Sequence, residues 1–590
     1  MLLTRSYHFD FPHPVEKLWD LVSDTARWGE ATGFPKYQAN ERLQDDGSVR
    51  VYGEIEVVGI SIKWEELPVN WVSNHWFEQT RLIQRGPIAS MTNAARLENH
   101  GDSSKLEIEL KFETRNLLGS IIAKKLQNSY ADKVKQLIDS ADKLISSEQP
   151  DLFVSTYEPS LTTINRSARL LQKITQTPYE HGLGQQLVDY INGQLEVDLW
   201  SIRPLAIARR WQADPGQVVE LFLQSVRSGL LESRWDILCP RCRVSKTTAS
   251  NMSDLPKGSH CEACNIDFDS DFARNVELSF SPGPSIRPIE PGFYCRSGPG
   301  TTPHIKLQSS LAAGESRCLP LLLDKGDYRL RTLEAGSEIT LSWNQELFPQ
   351  IILQDNKIML ETTSASHEIC IHNKTKEHRT FIIDELNWMK DVLTAEQVMT
   401  VQAFRDLFSD QVLRPGDEVS IRNVTFMFSD LVGSSSLFNE LGDAEAYHIV
   451  REHFADLNQI MRTHQGSIVK TIGDGIHASF LAPENAIQAA LEMQSAMPAF
   501  NERLGVKDIS IRIGLHSGSS IAVTLNDRLD YYGDVVNLAA RLEGQGAAGD
   551  ISMSRNFSED PAVAKLMQNH QPRYLDAQVK GYSQPVPIVQ

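Results

Sequence analysis

The stretch TFMFSDLVGSS, residues 425–435, joins an apolar run to one acid, Asp430, and then to a turn of small residues. A buried strand rarely ends on a carboxylate without a partner, because an uncompensated buried charge is costly. Gly433 and Ser434, which follow the acid, offer backbone N–H groups at a predicted helix start, where phosphate groups bind readily. The stretch therefore predicts a functional carboxylate next to a phosphate-binding turn.

The elements around this stretch follow the order of a ferredoxin-like βαββαβ frame. The sequence predicts strand, helix, hairpin, helix and strand over 421–429, 443–465, 467–482, 484–504 and 508–515. In the first helix apolar residues, Tyr447 among them, recur at spacings of three and four. In the last strand Ile509, Ile511 and Ile513 share one face, so one side of the sheet is predicted to be buried.

A second acid, Asp474, lies at the predicted hairpin tip in the sequence IGDG. In such a frame the first strand lies next to the hairpin, so we expect Asp474 to approach Asp430. Converging carboxylates repel unless a cation separates them, and Mg²⁺ prefers a few carboxylates with phosphate oxygens and water. Taken alone, Asp474 is also compatible with a simple turn. Together with the glycine-containing turn, the two acids predict a two-metal site for phosphoryl transfer.

Blocks of sequence in the C-terminal part resemble a known family. FSDLVGSS, VKTIGDGIHASF, IGLHSG, DYYGDVVNLAAR and VKGYSQPVPIV resemble, in this order, the catalytic domain of the class III nucleotidyl cyclases. The resemblance implies a homodimer with composite sites at its interface and two Mg²⁺ (or Mn²⁺) ions per site. It also implies cyclisation of a nucleoside triphosphate with release of pyrophosphate.

The resemblance assigns roles to the positions that match the family's motifs. They are Asp430 and Asp474 for metal binding, Lys470 and Asp530 for reading the base, Asn537 and Arg541 for stabilising the transition state, and Lys580 for gripping the terminal phosphates. One position departs from the pattern, because Ser519 stands where some members carry a phosphate-binding arginine. The spacing of Asn537 and Arg541 places both on one face of a predicted helix.

The base-reading pair favours ATP as the substrate. Adenine N1 accepts a hydrogen bond, which suits Lys470, and its amino group donates one, which suits Asp530. Guanine would present an acceptor, O6, to Asp530, and a site built on such hydrogen bonds rejects the wrong partner by about 10⁴-fold or more. The sequence therefore predicts an adenylate cyclase. The alternatives are a guanylate or broader-specificity cyclase, and a catalytically silent module that only binds nucleotide.

Four cysteines form two tight pairs, CPRC at 239–242 and CEAC at 261–264, with eighteen residues between them. Two such pairs can bring four thiolates into the tetrahedron that zinc favours in closed structural sites. Cys239, Cys242, Cys261 and Cys264 are therefore predicted to hold one structural Zn²⁺, with a redox pair or unligated thiols as the alternatives. Cys295, Cys318 and Cys370 lack a partner at such spacing and are interpreted as small buried residues.

The first part of the chain, with FDFPHPVEKLWDLVSDTARW near its start, resembles the START-like helix-grip family. Its members often enclose an apolar ligand between a sheet and a long C-terminal helix. Such a helix is predicted here from apolar residues that recur at helical spacing after residue 120. The tryptophans of this part either line a ligand cavity or fill a core, and they are Trp19, Trp28, Trp64, Trp71 and Trp76.

The chain is predicted to be a multidomain α+β protein whose upstream units regulate the catalytic one. The units are a START-like domain (1–147), a small helical, helix-turn-helix-like module (181–236), a zinc ribbon (237–270), a β-rich, sandwich-like region (271–386), a coupling helix (393–412) and the cyclase domain (418–590). Residues 150–180 are polar and turn-rich, which indicates a linker.

Charge and hydropathy exclude several classes of partner. The formal net charge of -18 argues against nucleic acid as a main partner of the helix-turn-helix-like module. The sequence contains no uncharged run near the ~18 residues that a membrane-spanning helix needs, and no signal-like segment at its start. We therefore expect a cytoplasmic protein without a transmembrane segment.

Overall fold

A computed structural model describes the chain except for residues 44–48, 58–59, 149–150, 297, 335, 345–346, 388, 414–418, 434–438, 440, 507–508 and 527. Ser434, a predicted phosphate-binding residue, lies outside the described residues. Within the part of the chain that is described, no helix combines the length and apolar character needed to cross a membrane.

The N-terminal part is a curved antiparallel sheet against which a long helix packs. Its strands are β1 (Leu2–Phe11), β2 (Gln38–Leu43), β3 (Val49–Val57), β4 (Ile60–Glu66), β5 (Asn70–Val72), β6 (Trp76–Ile83), β7 (Ile88–Asn99) and β8 (Ser104–Thr114), and its helices are α1 (Val15–Ser23), α2 (Thr25–Ala31) and α3 (Leu117–Ser146). Alternate residues of β8 are buried beneath α3, as the period of a strand requires. Asn116 caps α3 by accepting a hydrogen bond from Gly119 N–H at 2.9 Å.

Tryptophans of this part lie at different places in the fold. Trp28 lines a cavity between the sheet and α3, whereas Trp64 packs edge-on against Tyr37 in the core. Trp71 is buried and donates its indole N–H to Ile305 O at 3.1 Å. Trp28 therefore lines the cavity, whereas Trp64 and Trp71 fill the core.

A helical unit follows and leads into short strands around the cysteine pairs. Its helices are α4 (Leu161–Ile174), α5 (Gly184–Gly193), α6 (Glu196–Leu199), α7 (Pro204–Trp211) and α8 (Pro215–Ser228), and the strands are β9 (Leu231–Leu238), β10 (Ser245–Ala249), β11 (Gly258–Cys261), β12 (Ile266–Asp269) and β13 (Val276–Pro282). The linker predicted over 150–180 is wrong in part, because it contains α4. Ser160 caps this helix, whose largely polar surface explains why its sequence suggests a linker.

The β-rich part contains two sheets that share one core. Its strands are β14 (Ile305–Leu311), β15 (Ser316–Pro320), β16 (Gly326–Thr332), β17 (Ile339–Trp343), β18 (Phe348–Gln354), β19 (Lys357–Ser366), β20 (Glu368–Asn373) and β21 (Arg379–Glu385). One sheet has the order β15-β20-β18-β19, and the other strands join the N-terminal sheet, because β14 pairs with β5. Residues 1–147 and 271–386 therefore share a twelve-stranded sheet.

Two cysteines of this part form a disulfide. Cys318 and Cys370 face each other in neighbouring strands, β15 and β20, and are bonded to each other. The interpretation of both as unpaired small residues is wrong, because strand pairing joins them over a separation of 52 residues. Cys295 is buried with a free thiol, as the sequence predicts.

The coupling helix predicted over 393–412 is two shorter helices, α9 (Ala395–Met399) and α10 (Gln402–Leu407). Thr394 and Gln397 exchange hydrogen bonds in a capping box at the start of α9. The helix ends early because Thr400 Oγ1 donates to Gln397 O at 2.8 Å and Val401 is extended. The chain therefore changes direction between the two helices.

The C-terminal part contains the predicted frame. Its elements are β22 (Val419–Val432), α11 (Asp443–Thr463), β23 (Ser467–Ile472), β24 (Gly475–Phe480), α12 (Pro483–Leu504), β25 (Ser510–Leu525), β26 (Arg528–Tyr532), α13 (Asp534–Glu543), β27 (Ile551–Ser554), α14 (Arg555–Ser558), α15 (Pro561–Met567), β28 (Tyr574–Ala577) and β29 (Val586–Val589). The strand order is β23-β24-β22-β25-β27-β29-β28, with β26 on β25. The first strand therefore lies between the hairpin and the last strand of the frame.

The C-terminal sheet is covered on both faces, because alternate residues of β22 point to opposite sides. Met427 packs with α11 and α12 on one face, and Phe426 packs with the upstream helices on the other. Tyr447 is 66% exposed, so its predicted place on the buried face of α11 is wrong. Ala446, one residue earlier, is buried instead.

Candidate active site

Asp430 and Asp474 lie close together because a glycine lets the hairpin approach β22. A Cβ on Gly475 would lie only 1.8 Å from the carbonyl oxygen of Ser429. The contact is held by Ile476 N–H, which donates to Ser429 Oγ at 3.2 Å. Asp474 directly precedes this glycine and Asp430 directly follows Ser429, so the two acids meet as the sequence predicts.

A cation from the protein itself already contacts this acidic cluster. Arg512 on β25 lies opposite Asp430 on β22, and its Nη2 is 2.6 Å from Asp430 Oδ2. The same guanidinium contacts the carboxylate of Glu543 at the end of α13. Asp430 therefore has a side-chain partner in addition to its predicted role as a metal ligand.

The charges around Glu543 affect the protonation of its carboxyl group. Burial is the largest cause that raises the pKa of Glu543, and Arg512 opposes it. The charges of Asp430 and Asp474 raise that pKa further, which places all three acids within electrostatic range of each other. Such a cluster attracts a positive charge beyond the one that Arg512 supplies.

The cluster fits a hard divalent cation. One carboxylate oxygen of Asp474, Oδ2, is buried and has no hydrogen-bond partner among the described residues. Buried polar atoms are almost always paired, so an orphaned acid oxygen points to a ligand. Carboxylate oxygens are the donors that Mg²⁺ prefers, and Asp430 and Asp474 would hold it.

The predicted base-reading residues are in direct contact. Lys470 Nζ on β23 lies 2.5 Å from Asp530 Oδ2 on β26. The side chain of Asp530 is only 10% exposed, whereas that of Lys470 is 46% exposed. The other oxygen of Asp530 accepts a hydrogen bond from Tyr531 N–H at 2.8 Å, which fixes the direction of the carboxylate. The pair is therefore buried on the acid side and about half-exposed on the lysine side.

A neutral histidine lies close to this pair. His477 is fully buried on β24 and stacks on Phe428 with ring centroids 4.4 Å apart. Burial lowers its pKa to about 3, although the charge of Asp530 opposes this effect. His516 contacts Ser554 Oγ at 2.7 Å, so both histidines make contacts within the fold.

The predicted transition-state and phosphate-binding residues lie near one another. Asn537 is exposed on α13, and Arg541, four residues later, donates a hydrogen bond to Lys580 O. Gly581 allows this contact, because it has a φ of +88° and a Cβ there would lie 2.4 Å from Arg541 Nη1. Arg541 also lies over the ring of Tyr582, 5.8 Å from its centroid.

The structure describes the predicted phosphate-binding turn only at its start. Gly433, with a φ of +91°, follows the last residue of β22. Ser519, where some family members carry an arginine, instead donates its hydroxyl to Arg422 O at 2.7 Å. The hydroxyl of Ser519 is therefore engaged with the backbone of β22.

Sequence reasoning missed Arg512, although a signal for it exists. In the alternating strand DISIRIGL the charged Arg512 occupies the face opposite the isoleucines, with Gly514 as one of its two neighbours on that face. That glycine allows α13 to pack closely, because a Cβ there would lie 2.3 Å from Glu543 N. A charged residue next to a glycine on a central strand is therefore a signal for a functional site where another element packs closely against that strand.

The cysteine pairs converge as predicted. The sulfurs of Cys239, Cys242, Cys261 and Cys264 all lie within 4.8 Å of one another. Cys242 Sγ and Cys261 Sγ are 3.8 Å apart, and a tetrahedron with Zn–S bonds of about 2.3 Å has its sulfurs about 3.8 Å apart. Arg241 N–H points at Cys239 Sγ, at 3.4 Å. The cluster therefore fits a tetrahedral metal ion.

Comparison with known proteins identifies the class of the C-terminal part. Residues 417–581 match the family described as the adenylate and guanylate cyclase catalytic domain, and they form a class III catalytic domain of this kind. Residues 165–292, which include most of the helical unit and the cysteine cluster, match a family of unknown function (DUF5939).

The relatives include cyclases of both kinds. Adenylate cyclase 1 of Rhizobium meliloti (strain 1021) is 30% identical over 137 residues, which cover 21% of this chain and 21% of that protein. Receptor-type guanylate cyclase gcy-13 of Caenorhabditis elegans is 27% identical over 198 residues, which cover 30% of this chain and 19% of that protein. The chain thus spans about a fifth of the length of the curated relatives it matches.

Solved structures of cyclases match about 30% of the chain. The adenylyl cyclase CyaB from P. aeruginosa has 25% identity and a TM-score of 0.27, and the match covers 30% of this chain and 95% of that chain. Because both adenylate and guanylate cyclases occur among the relatives, the preferred purine has to be argued from the residues of this site.

Proposed function

We propose that the protein is an adenylate cyclase, which converts ATP to 3′,5′-cyclic AMP and pyrophosphate. The observation that carries this proposal is the contact of 2.5 Å between Lys470 Nζ and Asp530 Oδ2. It places one strong donor beside one strong acceptor, which is the pattern needed to read N1 and the amino group of adenine. Guanine would present its O6 acceptor to the Asp530 carboxylate, which also accepts.

The remaining residues suit phosphoryl transfer. Arg541 would neutralise charge that develops on the α-phosphate, Asn537 would hold the ribose, and Lys580 would grip the terminal phosphates. Two Mg²⁺ (or Mn²⁺) ions bound by Asp430 and Asp474 would supply Lewis-acid activation of the 3′-hydroxyl and charge neutralisation. The ribose 3′-hydroxyl gives its proton to solvent water, and its oxygen bonds to the α-phosphorus as the bond from that phosphorus to the α–β bridging oxygen breaks and pyrophosphate leaves.

The active form is proposed to be a homodimer through the cyclase domain, with Asp430 and Asp474 from one protomer completing the site of the other. Large apolar side chains support this proposal, because Ile472, Leu525 and Tyr532 are about half exposed or more. They lie on β23, β25 and β26, the strands that carry or adjoin Lys470 and Asp530. Burial of this surface by a partner would remove apolar area from water.

Purified protein with Mn²⁺ and each of the four common nucleoside triphosphates in turn tests the proposal, with products separated by chromatography. Cyclic AMP is expected as the main product. Predominant cyclic GMP would overturn the roles of Lys470 and Asp530 in favour of a guanylate or broader-specificity cyclase. A folded, dimeric protein that binds nucleotide and yields no cyclic product would instead support a silent signalling module.

The cysteine cluster is proposed to hold one structural Zn²⁺. Its four positions are all filled by thiols, three of them buried, so no coordination position is left for substrate. The ion would join the β9–β10 and β11–β12 turns and stabilise the unit that packs against α9.

A regulatory ligand is proposed for the START-like N-terminal part. A cavity of about 210 Å³ lies between the sheet and α3, and its lining is mainly apolar. Tyr130 and Trp28 meet at its wall, where the indole N–H donates to the phenol oxygen at 3.1 Å. The cavity suits a small apolar molecule, and equilibrium binding of an environment-sensitive apolar dye, abolished by Ala95→Trp, is the test.

A further inference from the structure

Helix α10 contacts the strand that carries Lys470. Gln402, its first residue, accepts a hydrogen bond at 2.7 Å from the backbone N–H of Ile468, two residues before Lys470. The pairing of β23 with β24 shifts register between these two residues, which marks a bulge. A bulge re-aims the following side chain, so Gln402 holds the strand where the direction of Lys470 is set.

The same helix contacts the strand that carries Asp530. Arg405 Nη1 donates a hydrogen bond at 2.9 Å to Leu529 O, and its guanidinium lies 5.3 Å from the ring centroid of Tyr531. Arg405 therefore contacts the residues on both sides of Asp530. Because Tyr531 N–H also donates to Asp530 Oδ1, holding Tyr531 in place orients the carboxylate that would read the base.

Helix α10 is in turn fixed by the upstream helical unit. Phe404 is buried against Trp235, edge-on, with ring centroids 6.1 Å apart. On the other side Asp406 accepts a hydrogen bond from the hydroxyl of Tyr179 at 2.6 Å. A displacement of the upstream unit would therefore move Gln402 and Arg405 with it.

We propose that Arg405 and Gln402 are positioning residues that set the spacing and aim of the Lys470–Asp530 pair. Through α10 the state of the upstream unit then controls how well the site binds and selects its purine. The inference rests on the proposed function, because the distance between Lys470 and Asp530 matters for purine selection only if these two side chains read the base. It concerns base recognition, so the phosphate chemistry at Asp430 and Arg541 is expected to be little affected.

The test separates a positioning role from a purely structural one. Arg405→Met keeps the aliphatic stem and removes the donors. We expect the KM for ATP to rise about 10-fold with kcat within about 3-fold, and the ratio of kcat/KM for ATP over GTP to fall about 10-fold. Arg405→Lys, which keeps one donor for Leu529 O, should recover part of both. The control is Arg503→Met, because Arg503 forms a half-exposed pair with Asp456 elsewhere in the domain.

A fall in kcat at unchanged KM and unchanged purine ratio would overturn the inference, as would wild-type behaviour of Arg405→Met. If Arg405→Met does not fold, Gln402→Met is the second variant, and it should shift KM and the purine ratio in the same direction. If the wild type forms no cyclic product, the proposed function fails by itself. The dissociation constants of ATP and GTP then provide the same comparison, and equal constants in wild type and variant would reject the positioning role.

Discussion

The guanidinium of Arg512 and the carboxylate of Asp430 face each other across β25 and β22, with Nη2 2.6 Å from Oδ2. Arg512 also contacts Glu543, and Asp474 lies close enough to influence the same acid. The protein thus keeps an acidic cluster folded by supplying one internal cation. Any divalent ion that binds Asp430 competes with this arginine for the carboxylate.

Arg512→Gln should make the stability of the domain depend more strongly on divalent cations. Without the arginine, Asp430, Asp474 and Glu543 repel one another, and a bound ion stabilises the folded state by mass action. We expect a larger rise in Tm on addition of Mg²⁺ or Mn²⁺ than in the wild type. Arg573→Gln, which removes an ion pair with Asp550 at the surface, is the control. Equal metal-induced shifts in Arg512→Gln and the wild type would contradict the competition.

Asp430→Asn should strongly reduce turnover while the fold is kept. An asparagine still accepts a hydrogen bond from Arg512 but provides no negative charge for a metal ion. We expect kcat to fall by about 10²–10³-fold, the usual cost of losing one preorganised catalytic group. Circular dichroism should match the wild type. Asp576→Asn, at an exposed position on β28, should retain full activity, and near-normal turnover in Asp430→Asn would refute the assignment.

Local patterns were sufficient to predict the catalytic frame. The alternation of β25, the periodicity of α12 and the turn at Gly473 are encoded within short windows of sequence, and their order defines the sheet. Asp430 and Asp474 could therefore be placed together without coordinates. The prediction that Tyr447 is buried was wrong, because packing against a neighbouring element decides which residues of a helix are buried. Helical spacing alone does not determine which edge of the apolar face of α11 meets the sheet.

Contacts between distant segments could not be predicted. The pair formed by Asp430 and Arg512 depends on the register of β22 against β25, which shifts between Ile421 and Val424. The pairing of β5 with β14 joins segments more than 200 residues apart. Trp71, for example, donates a hydrogen bond to Ile305 O, which lies 234 residues further along the chain. Nothing in either segment alone specifies its partner strand. The same holds for Cys318, whose partner is set by strand pairing.

Removal of the metal ligands should unfold the cysteine unit. If the four sulfurs hold Zn²⁺, Cys264→Ser leaves an incomplete tetrahedron, and metal binding that stabilises folding is lost. We expect zinc in the wild type and almost none in the variant by elemental analysis, together with a lower Tm. Cys295→Ala, which alters a free buried thiol, should keep its zinc. Wild-type protein free of zinc after purification without chelators would contradict the prediction.

Acid should destabilise the cyclase domain through its buried histidines. Burial lowers the pKa of His453 to about 4 and that of His477 to about 3. In the unfolded chain a histidine has a pKa of about 6.5. Between that pH and the lower pKa of the folded state, the unfolded histidine is protonated and the folded one stays neutral. Stability is therefore complete above about pH 6.5 and is lost as the pH falls towards the folded pKa, by about 1.4 kcal/mol per unit for each histidine.

Urea unfolding between pH 7.5 and 5.5 provides the measurement for this pH dependence. His453→Leu should show a smaller loss of stability over that range than the wild type, because the variant lacks one side chain that binds a proton only in the unfolded state. His570→Leu is the control at an exposed position, and its pH dependence should follow the wild type. An identical slope in His453→Leu and the wild type would show that His453 is not protected from protonation.

Gly475→Ala should separate the two acids without changing any charged group. A Cβ there would lie 1.8 Å from Ser429 O and 3.2 Å from the Cα of Asp430, so the hairpin must move away from β22. Asp474 moves with it, and we expect a fall in kcat of about 10-fold or more, because small displacements of catalytic groups are costly. A higher concentration of Mn²⁺ should be needed for half-maximal activity. Gly544→Ala is the matched control, because its Cβ would meet only Arg541 O at 3.7 Å, an ordinary contact. If Gly475→Ala cyclised ATP as well as Gly544→Ala, close approach of the hairpin to β22 would have no part in the reaction.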